Sequence, residues 1–219
     1  MNFEELIRRA GVWRAGELSP QAVRRSGYAG LDAILPGGGW PCSGLTEILS
    51  PAVTRGALHA VLPALAALSR EERWIVWVNP PHAPYAPALH AHGVDLARVM
   101  VVELPEAAAT RDREALWACE QALRFEGCGA ALAWLDEVPM LALRRLQLAA
   151  ETGLTWGVLF RPSARARQAS PAPLRLALEA CPLAADAGPP PLELTVLKAH
   201  GGRNGARCRI VPTEAACDA

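Results

Sequence analysis

From residue 45 to residue 160, five short apolar runs alternate with four helical stretches, and this alternation restricts the fold more than anything else in the chain. The runs are 45–49, 74–78, 99–102, 131–135 and 156–160; residues 56–69, 84–92, 112–125 and 139–151 read as the helices between them. Gly93, Gly127 and Gly153 stand where helices should stop. The runs are nearly continuous in apolar residues, as strands are when helices cover both faces of a parallel sheet. Strand and helix repeating in this way predict an α/β fold with a mostly parallel, doubly wound sheet.

Beyond residue 160 the pattern changes. An arginine-bearing stretch, 161–170, precedes strand-like segments at 174–178, 192–198 and 208–211, the last two flanking Gly201-Gly-Arg-Asn-Gly205. This predicts a C-terminal antiparallel extension with a hairpin. At the other end, residues 2–10 read as a short amphipathic helix with Phe3, Leu6, Ile7 and Ala10 on one face, followed by Val12, Trp13 and a polar connection. Residues 28–35 read as a short helix closed by the turn Pro36-Gly-Gly-Gly-Trp-Pro41. The division expected is an N-terminal helix and linker over 1–26 and one core domain over 27–219, without internal repeats.

Totals narrow the functional classes. Apolar residues make up 51% of the 219, enough for a substantial core, and Lys+Arg 22 against Asp+Glu 22 leave no net charge to attract nucleic acid or acidic membranes. The six cysteines stand singly, and His90 and His92 lie two apart, which splays them on a helix. No metal site and no disulfide are expected. The acidic start lacks the order of a signal peptide and no apolar run reaches membrane-spanning length, so the expectation is a cytoplasmic protein that does not meet a membrane.

The stretch 44–58 is a strand running through a turn into a helix near Gly56, the place where a nucleotide-binding α/β protein holds its phosphate loop. Such a loop requires a lysine for the terminal phosphates, then Ser or Thr for magnesium. Here Thr54-Arg-Gly-Ala57 occupies the position, and the single lysine of the chain is Lys198. Arg55 brings a cation, but its planar fork precedes the glycine and does not replace the lysine without a different loop. Backbone N–H groups survive such losses, so a weak nucleotide pocket remains open as an alternative. Asp136, with Glu137 beside it, follows the apolar residues 132–135 as a metal-supporting strand-end acid would; a helix cap or solvated turn residue is the plainer alternative.

The segment Gly27-Tyr-Ala-Gly-Leu-Asp-Ala-Ile-Leu-Pro-Gly-Gly-Gly-Trp-Pro-Cys-Ser-Gly-Leu-Thr-Glu-Ile-Leu49 resembles the opening of the RecA recombinase core and, more narrowly, the ImuA family. The likeness continues through Trp77-Val-Asn-Pro-Pro-His-Ala-Pro-Tyr-Ala-Pro87, Ala115-Leu-Trp-Ala-Cys-Glu-Gln-Ala-Leu123, Leu143-Arg-Arg-Leu-Gln-Leu-Ala-Ala-Glu151 and Leu194-Thr-Val-Leu-Lys-Ala-His-Gly-Gly202. It implies a RecA-like core and a part in the SOS response, as an adaptor for error-prone translesion synthesis. The partners implied are ImuB, an error-prone DNA polymerase and RecA, with self-association through a RecA-style contact. The related SulA group implies an alternative, a division inhibitor that binds FtsZ. Against the RecA pattern, the water-orienting acid falls near Pro81, where proline has nothing to polarise water with and Asn79 is a weak substitute. Loss of a charge-stabilising group at a phosphoryl-transfer site costs orders of magnitude in rate, so no ATPase activity, catalytic residue or cofactor is expected.

Two acid-free windows carry the candidate contacts: Arg161, Arg165, Arg167 and Arg175 in one, and Lys198, Arg203, Arg207 and Arg209 with His200 in the other. In a RecA-like core the first corresponds to the loop that approaches DNA. Phosphate contacts there would be weak, salt-sensitive and indifferent to sequence; the alternative is a solvated loop and a polar sheet edge. Of seven tryptophans, Trp74, Trp77, Trp134 and Trp156 lie in strands and are expected in the core. Trp13 and Trp40, with Phe3, Leu6 and Ile7, are the candidates for a protein interface. The ridge Leu141, Leu143, Leu146 and Leu148 is expected to pack on the sheet.

Overall fold

A computed structural model describes residues 22–51, 56–105, 110–181 and 190–212. The N-terminal helix proposed for 2–10, the interface candidates Phe3, Leu6, Ile7 and Trp13, and the loop residues Thr54 and Arg55 lie outside the described residues.

The ten strands are β1 (Val23–Arg24), β2 (Trp40–Pro41), β3 (Gly44–Ser50), β4 (Trp74–Val78), β5 (Val99–Val102), β6 (Cys128–Trp134), β7 (Trp156–Pro162), β8 (Leu174–Ala180), β9 (Leu192–Ala199) and β10 (Arg207–Ile210). The α-helices are α1 (Ala29–Asp32), α2 (Leu62–Arg70), α3 (Ala86–Ala91), α4 (Arg111–Arg124) and α5 (Met140–Thr152). Strands β1 and β2 form a small ribbon, while the other eight form one sheet in the order β10-β9-β8-β3-β7-β6-β4-β5. From β8 to β5 every pairing is parallel; β9 and β10 join antiparallel. The expected mostly parallel α/β sheet is therefore present. One strand is reassigned: 174–180 belongs to the parallel part beside β3, because the connection 163–173 returns the chain from the carboxyl end of β7 toward the amino end of β3, where β8 starts in the same direction. Only β9 and β10 form the antiparallel extension.

Over the central strands both faces of the sheet are covered, which is why β3, β4, β6 and β7 are largely apolar. Strand β5 at one edge and β10 at the other keep exposed positions, and β9 is only half-buried at alternate ones. Ile48, Ile75, Trp77, Leu132, Val158 and Phe160 pack with Leu62 and Leu65 of α2 and Leu89 of α3 on one face. Leu45, Val76, Val78, Ala131 and Leu159 meet Cys119 and Leu123 of α4 and Leu143 and Leu146 of α5 on the other. Each covered side chain of this size contributes about 1.5–3 kcal/mol of burial.

Trp40 is not an interface residue. It is fully buried and stacks on Trp156 with ring centroids 5.3 Å apart, while Trp156 Nε1 donates to Thr46 Oγ1 at 3.0 Å. The turn before it makes this possible: Gly37 and Gly38 take φ of 68° and 83°, which fold the ribbon over the sheet end. The α5 ridge also divides. Leu143 and Leu146 are buried, but Leu141 and Leu148 are 71% and 61% exposed, because they lie seven residues apart on a stripe rotated away from the sheet. No helix among the described residues is long and apolar enough to cross a membrane.

Candidate functional site at the carboxyl ends of the strands

Open parallel sheets hold ligands at the carboxyl ends of their strands, beside the strand where the order reverses. Here that strand is β3, and the parallel strands β7, β6 and β4 on one side of it deliver the other candidate residues to the same edge.

The segment after β3 does not run straight into a helix. Gly56 has φ 88°, and a Cβ there would lie 2.7 Å from Leu192 Cδ2, so left-handed backbone and close packing both require glycine. Residues Ala57–Ala60 then form a 3₁₀ turn, and α2 begins only at Leu62 with Pro63 in its first turn. Proline lacks an N–H and suits a helix start, so the helix expected over 56–69 opens later than a phosphate loop would need.

At the end of β4, Asn79 takes φ 51°, and its N–H donates to the Val102 carbonyl at 2.8 Å. Arg111, the first residue of α4, donates to Asn79 Oδ1 from Nε at 3.2 Å and from Nη2 at 2.7 Å. Pro81 is exposed and brings no carboxylate. The position nearest the expected acid is thus a polar amide held by an arginine.

Between β3, β7 and β8 lies a group that sequence reasoning passed over. Glu47, in the middle of β3, is fully buried, as is Arg161, while Arg175 is 6% exposed. Glu47 Oε2 accepts from Arg175 Nε at 2.7 Å, and its Oε1 accepts from Arg161 Nη1 at 3.3 Å and from Ser170 Oγ at 2.6 Å. Two buried guanidiniums against one carboxylate leave a positive excess, which backbone and amide oxygens absorb. Arg161 Nη2 donates to the Asp136 carbonyl at 3.0 Å and to Gln168 Oε1 at 2.8 Å. Arg175 donates to the carbonyls of Ala166 and Arg165 at 3.2 and 3.1 Å. Burial pulls the Arg161 guanidinium below its ordinary value, Glu47 opposes that pull, and Arg175 and Arg165 add to it.

Arg161 and Arg175, expected to contact DNA or a partner, are therefore internal side chains that pin the segment 163–170 to the sheet. Arg165 Nε donates to the exposed carboxylate of Asp136 at 2.9 Å, and that bond raises the Arg165 guanidinium above its ordinary value. The structure thus brings Asp136, Arg161, Arg165 and Arg175 into one network, with the acid committed to an arginine. Arg167 is exposed. Lys198 Nζ donates to the Ser170 carbonyl at 2.9 Å, which ties the second window to the first. Arg203 is exposed on the hairpin, and Arg207 lies 3.5 Å from Glu193 across the β9–β10 pair. A signal for Glu47 did exist: one acid inside Leu-Thr-Glu-Ile-Leu is costly to bury unless cations face it.

Among the described residues, no three His, Cys, Asp or Glu side chains are grouped as a metal ion would need. Burial pushes the Cys119 and Cys128 thiols up to about 12 and Cys208 to about 11, which leaves them weak nucleophiles.

The model of the family described as cell division inhibitor SulA matches residues 46–157, the span from β3 into β7 that holds Glu47, Asn79 and Asp136. Cell division inhibitor SulA of Edwardsiella piscicida is 35% identical over 125 residues, covering 56% of this chain and 70% of that protein. Protein ImuA of Caulobacter vibrioides is 32% identical over 150 residues, covering 66% of this chain but only 59% of its own length. SulA of Pectobacterium carotovorum is 29% identical over 119 residues, covering 54% and 68% respectively.

Proposed function

The chain belongs to the family of the cell division inhibitor SulA, and on that premise we propose that it is a non-catalytic, RecA-like adaptor of the SOS DNA-damage response. One observation carries the reading. At the carboxyl ends of the strands, where a nucleotide-hydrolysing relative would keep free acids and a phosphate-binding lysine, Asn79 is bonded to Arg111 and Asp136 to Arg165, while deeper in β3 Glu47 is held by two arginines. Buried groups paired in this way stiffen a scaffold, and a carboxylate already bonded to an arginine is not poised to orient water or a metal ion. The ImuA likeness spans the larger share of this chain, and it favours support of error-prone translesion synthesis through ImuB, an error-prone polymerase or RecA.

Purified chain mixed with each of those three proteins, followed by size-exclusion chromatography at micromolar concentration, tests the adaptor role. Co-elution with at least one supports it, and separate elution from all three overturns it. The family match favours one second reading, division inhibition through FtsZ. That reading requires stoichiometric loss of FtsZ polymer in a light-scattering assay, which the adaptor reading does not produce.

A further inference from the structure

The layer of helices on one face of the sheet carries an uncovered apolar surface on its outer side. Helices α4 and α5 lie side by side on one sheet face, and both follow strands of the same direction, so they run the same way. Glu120 joins them, bonded to Arg124 on its own helix at 2.7 Å and to Arg145 on the next. One turn before Glu120 and Arg145 stand Trp117 and Leu141, which are 62% and 71% exposed. Leu148, 61% exposed, lies two turns beyond Leu141 on the same stripe. A large aromatic and two leucines outside the core, on two rigid helices, have the composition of interface anchors.

Beside the apolar strip the exposed charge is mainly cationic, although the chain as a whole is neutral. Arg113, one turn before Trp117, and Arg144, next to Arg145, have no acidic partner among the described residues. Arg124 and Arg145 share the single Glu120 carboxylate, which is 5% exposed and so unavailable to anything outside. The rim of the surface also carries carboxylates: Glu114, which accepts from Thr110 at 2.6 Å, Glu151, which accepts from Gln147 at 2.8 Å, and exposed Asp112 beside Arg113. Next to the apolar strip itself stand four arginines, Arg113, Arg124, Arg144 and Arg145, with only the buried Glu120 carboxylate among them, around side chains that require apolar cover.

We infer that the outer face of α4 and α5 is a docking surface for an acidic amphipathic helix of another protein. Leucine-type residues of that helix cover Trp117, Leu141 and Leu148, and its flanking Asp or Glu side chains pair with Arg113, Arg144 and Arg145. The spacing fits: Leu141 and Leu148 are seven residues apart, about 10 Å along the axis, the repeat at which a partner helix presents its own apolar stripe. Phosphate groups would satisfy the arginines but leave both leucines in water, so protein suits the surface better than nucleic acid. This inference rests on the reading of the chain as a docking protein and goes beyond it by naming the surface and the chemistry of what lands there.

The test uses the full chain and three fluorescent probes in anisotropy titrations: a helical peptide with leucines at i, i+4 and i+7 and flanking glutamates, its lysine-for-glutamate counterpart, and a single-stranded oligonucleotide. Binding of the acidic peptide should exceed that of the basic one by about tenfold or more, weaken with salt, and fall about tenfold or more in Trp117→Ala/Leu148→Glu. These side chains are exposed, so the variant should keep the thermal midpoint of the parent; Arg144→Glu gives a second variant with the same expected loss. No acidic-peptide binding, equal binding by parent and variants, or preference for the oligonucleotide overturns the inference. A dimer in analytical ultracentrifugation that the variant abolishes assigns the face to a second copy instead and also overturns it. Co-elution of Trp117→Ala/Leu148→Glu with ImuB, the polymerase or RecA would sink this surface while sparing the adaptor role; peptide binding without any co-elution by the parent would do the reverse.

Discussion

Replacing Glu47 by glutamine keeps the shape of the side chain and removes its charge from between Arg161 and Arg175. Glu47 and Arg161 are fully buried and Arg175 is 6% exposed, so water does not reach in to replace the lost carboxylate. Breaking a buried ion pair by removing one partner costs about 3–5 kcal/mol, because the remaining charge is left uncompensated. For a chain of 219 residues that corresponds to a fall in Tm of roughly 6–20 °C. Thermal unfolding followed by circular dichroism reads the change, and urea titration converts it to free energy. Hydrogen exchange adds a local readout: residues 163–170, which Arg161 and Arg175 hold through Gln168, Ala166 and Arg165, should lose protection first. The apolar triple replacement Glu47→Met/Arg161→Met/Arg175→Leu should recover most of the loss, since no charge is then stranded. A loss below about 1 kcal/mol in Glu47→Gln, with unchanged exchange over 163–170, would refute the reasoning.

Trp40→Ala should cost about 3–5 kcal/mol by opening a cavity against Trp156, while Trp40→Phe should cost far less, since Trp40 Nε1 has no partner to lose; urea midpoints compare the two. His59 is held below its ordinary 6.5, first by burial and then by the His92 ring 5.7 Å away. Between the lowered value and 6.5 the unfolded chain binds more protons than the folded one. Stability should therefore be fully present above about pH 6.5 and fall on acidification through that window, and His59→Phe should flatten the slope of Tm against pH. Cys119 and Cys128, both pushed up to about 12, should resist iodoacetamide at pH 8 until the chain is unfolded, as mass spectrometry of the labelled peptides will record.

Periodicity made the sheet legible. Short apolar runs without alternation, spaced by helical stretches, fit the strands of a covered parallel sheet. Those at 74–78 and 99–102 match β4 and β5 residue for residue, although edge strand β5 leaves Met100 and Val101 exposed. The strand 174–180 was misread because its direction depends on where the connection 163–173 crosses, and no local pattern records a crossing. Trp40 looked available for an interface because a Gly-rich turn resembles a surface loop, yet that same turn folds the indole onto Trp156. Arg161 and Arg175 looked like an open basic window for a similar reason. A charge count along the chain cannot see Glu47, which stands more than a hundred residues earlier and becomes their neighbour only through the order β8-β3-β7. Leu141 and Leu148 were assigned to the core with Leu143 and Leu146, although a helix lying on a sheet buries only one stripe.

If the carboxyl ends of these strands serve as a scaffold and not as an engine, magnesium and ATP should find nothing there to react with. The most direct measurement is phosphate release by the purified full chain in magnesium–ATP, with Asp136→Asn as its companion. The account predicts release equal to a protein-free blank for both proteins. Turnover by the parent that Asp136→Asn abolishes would contradict it.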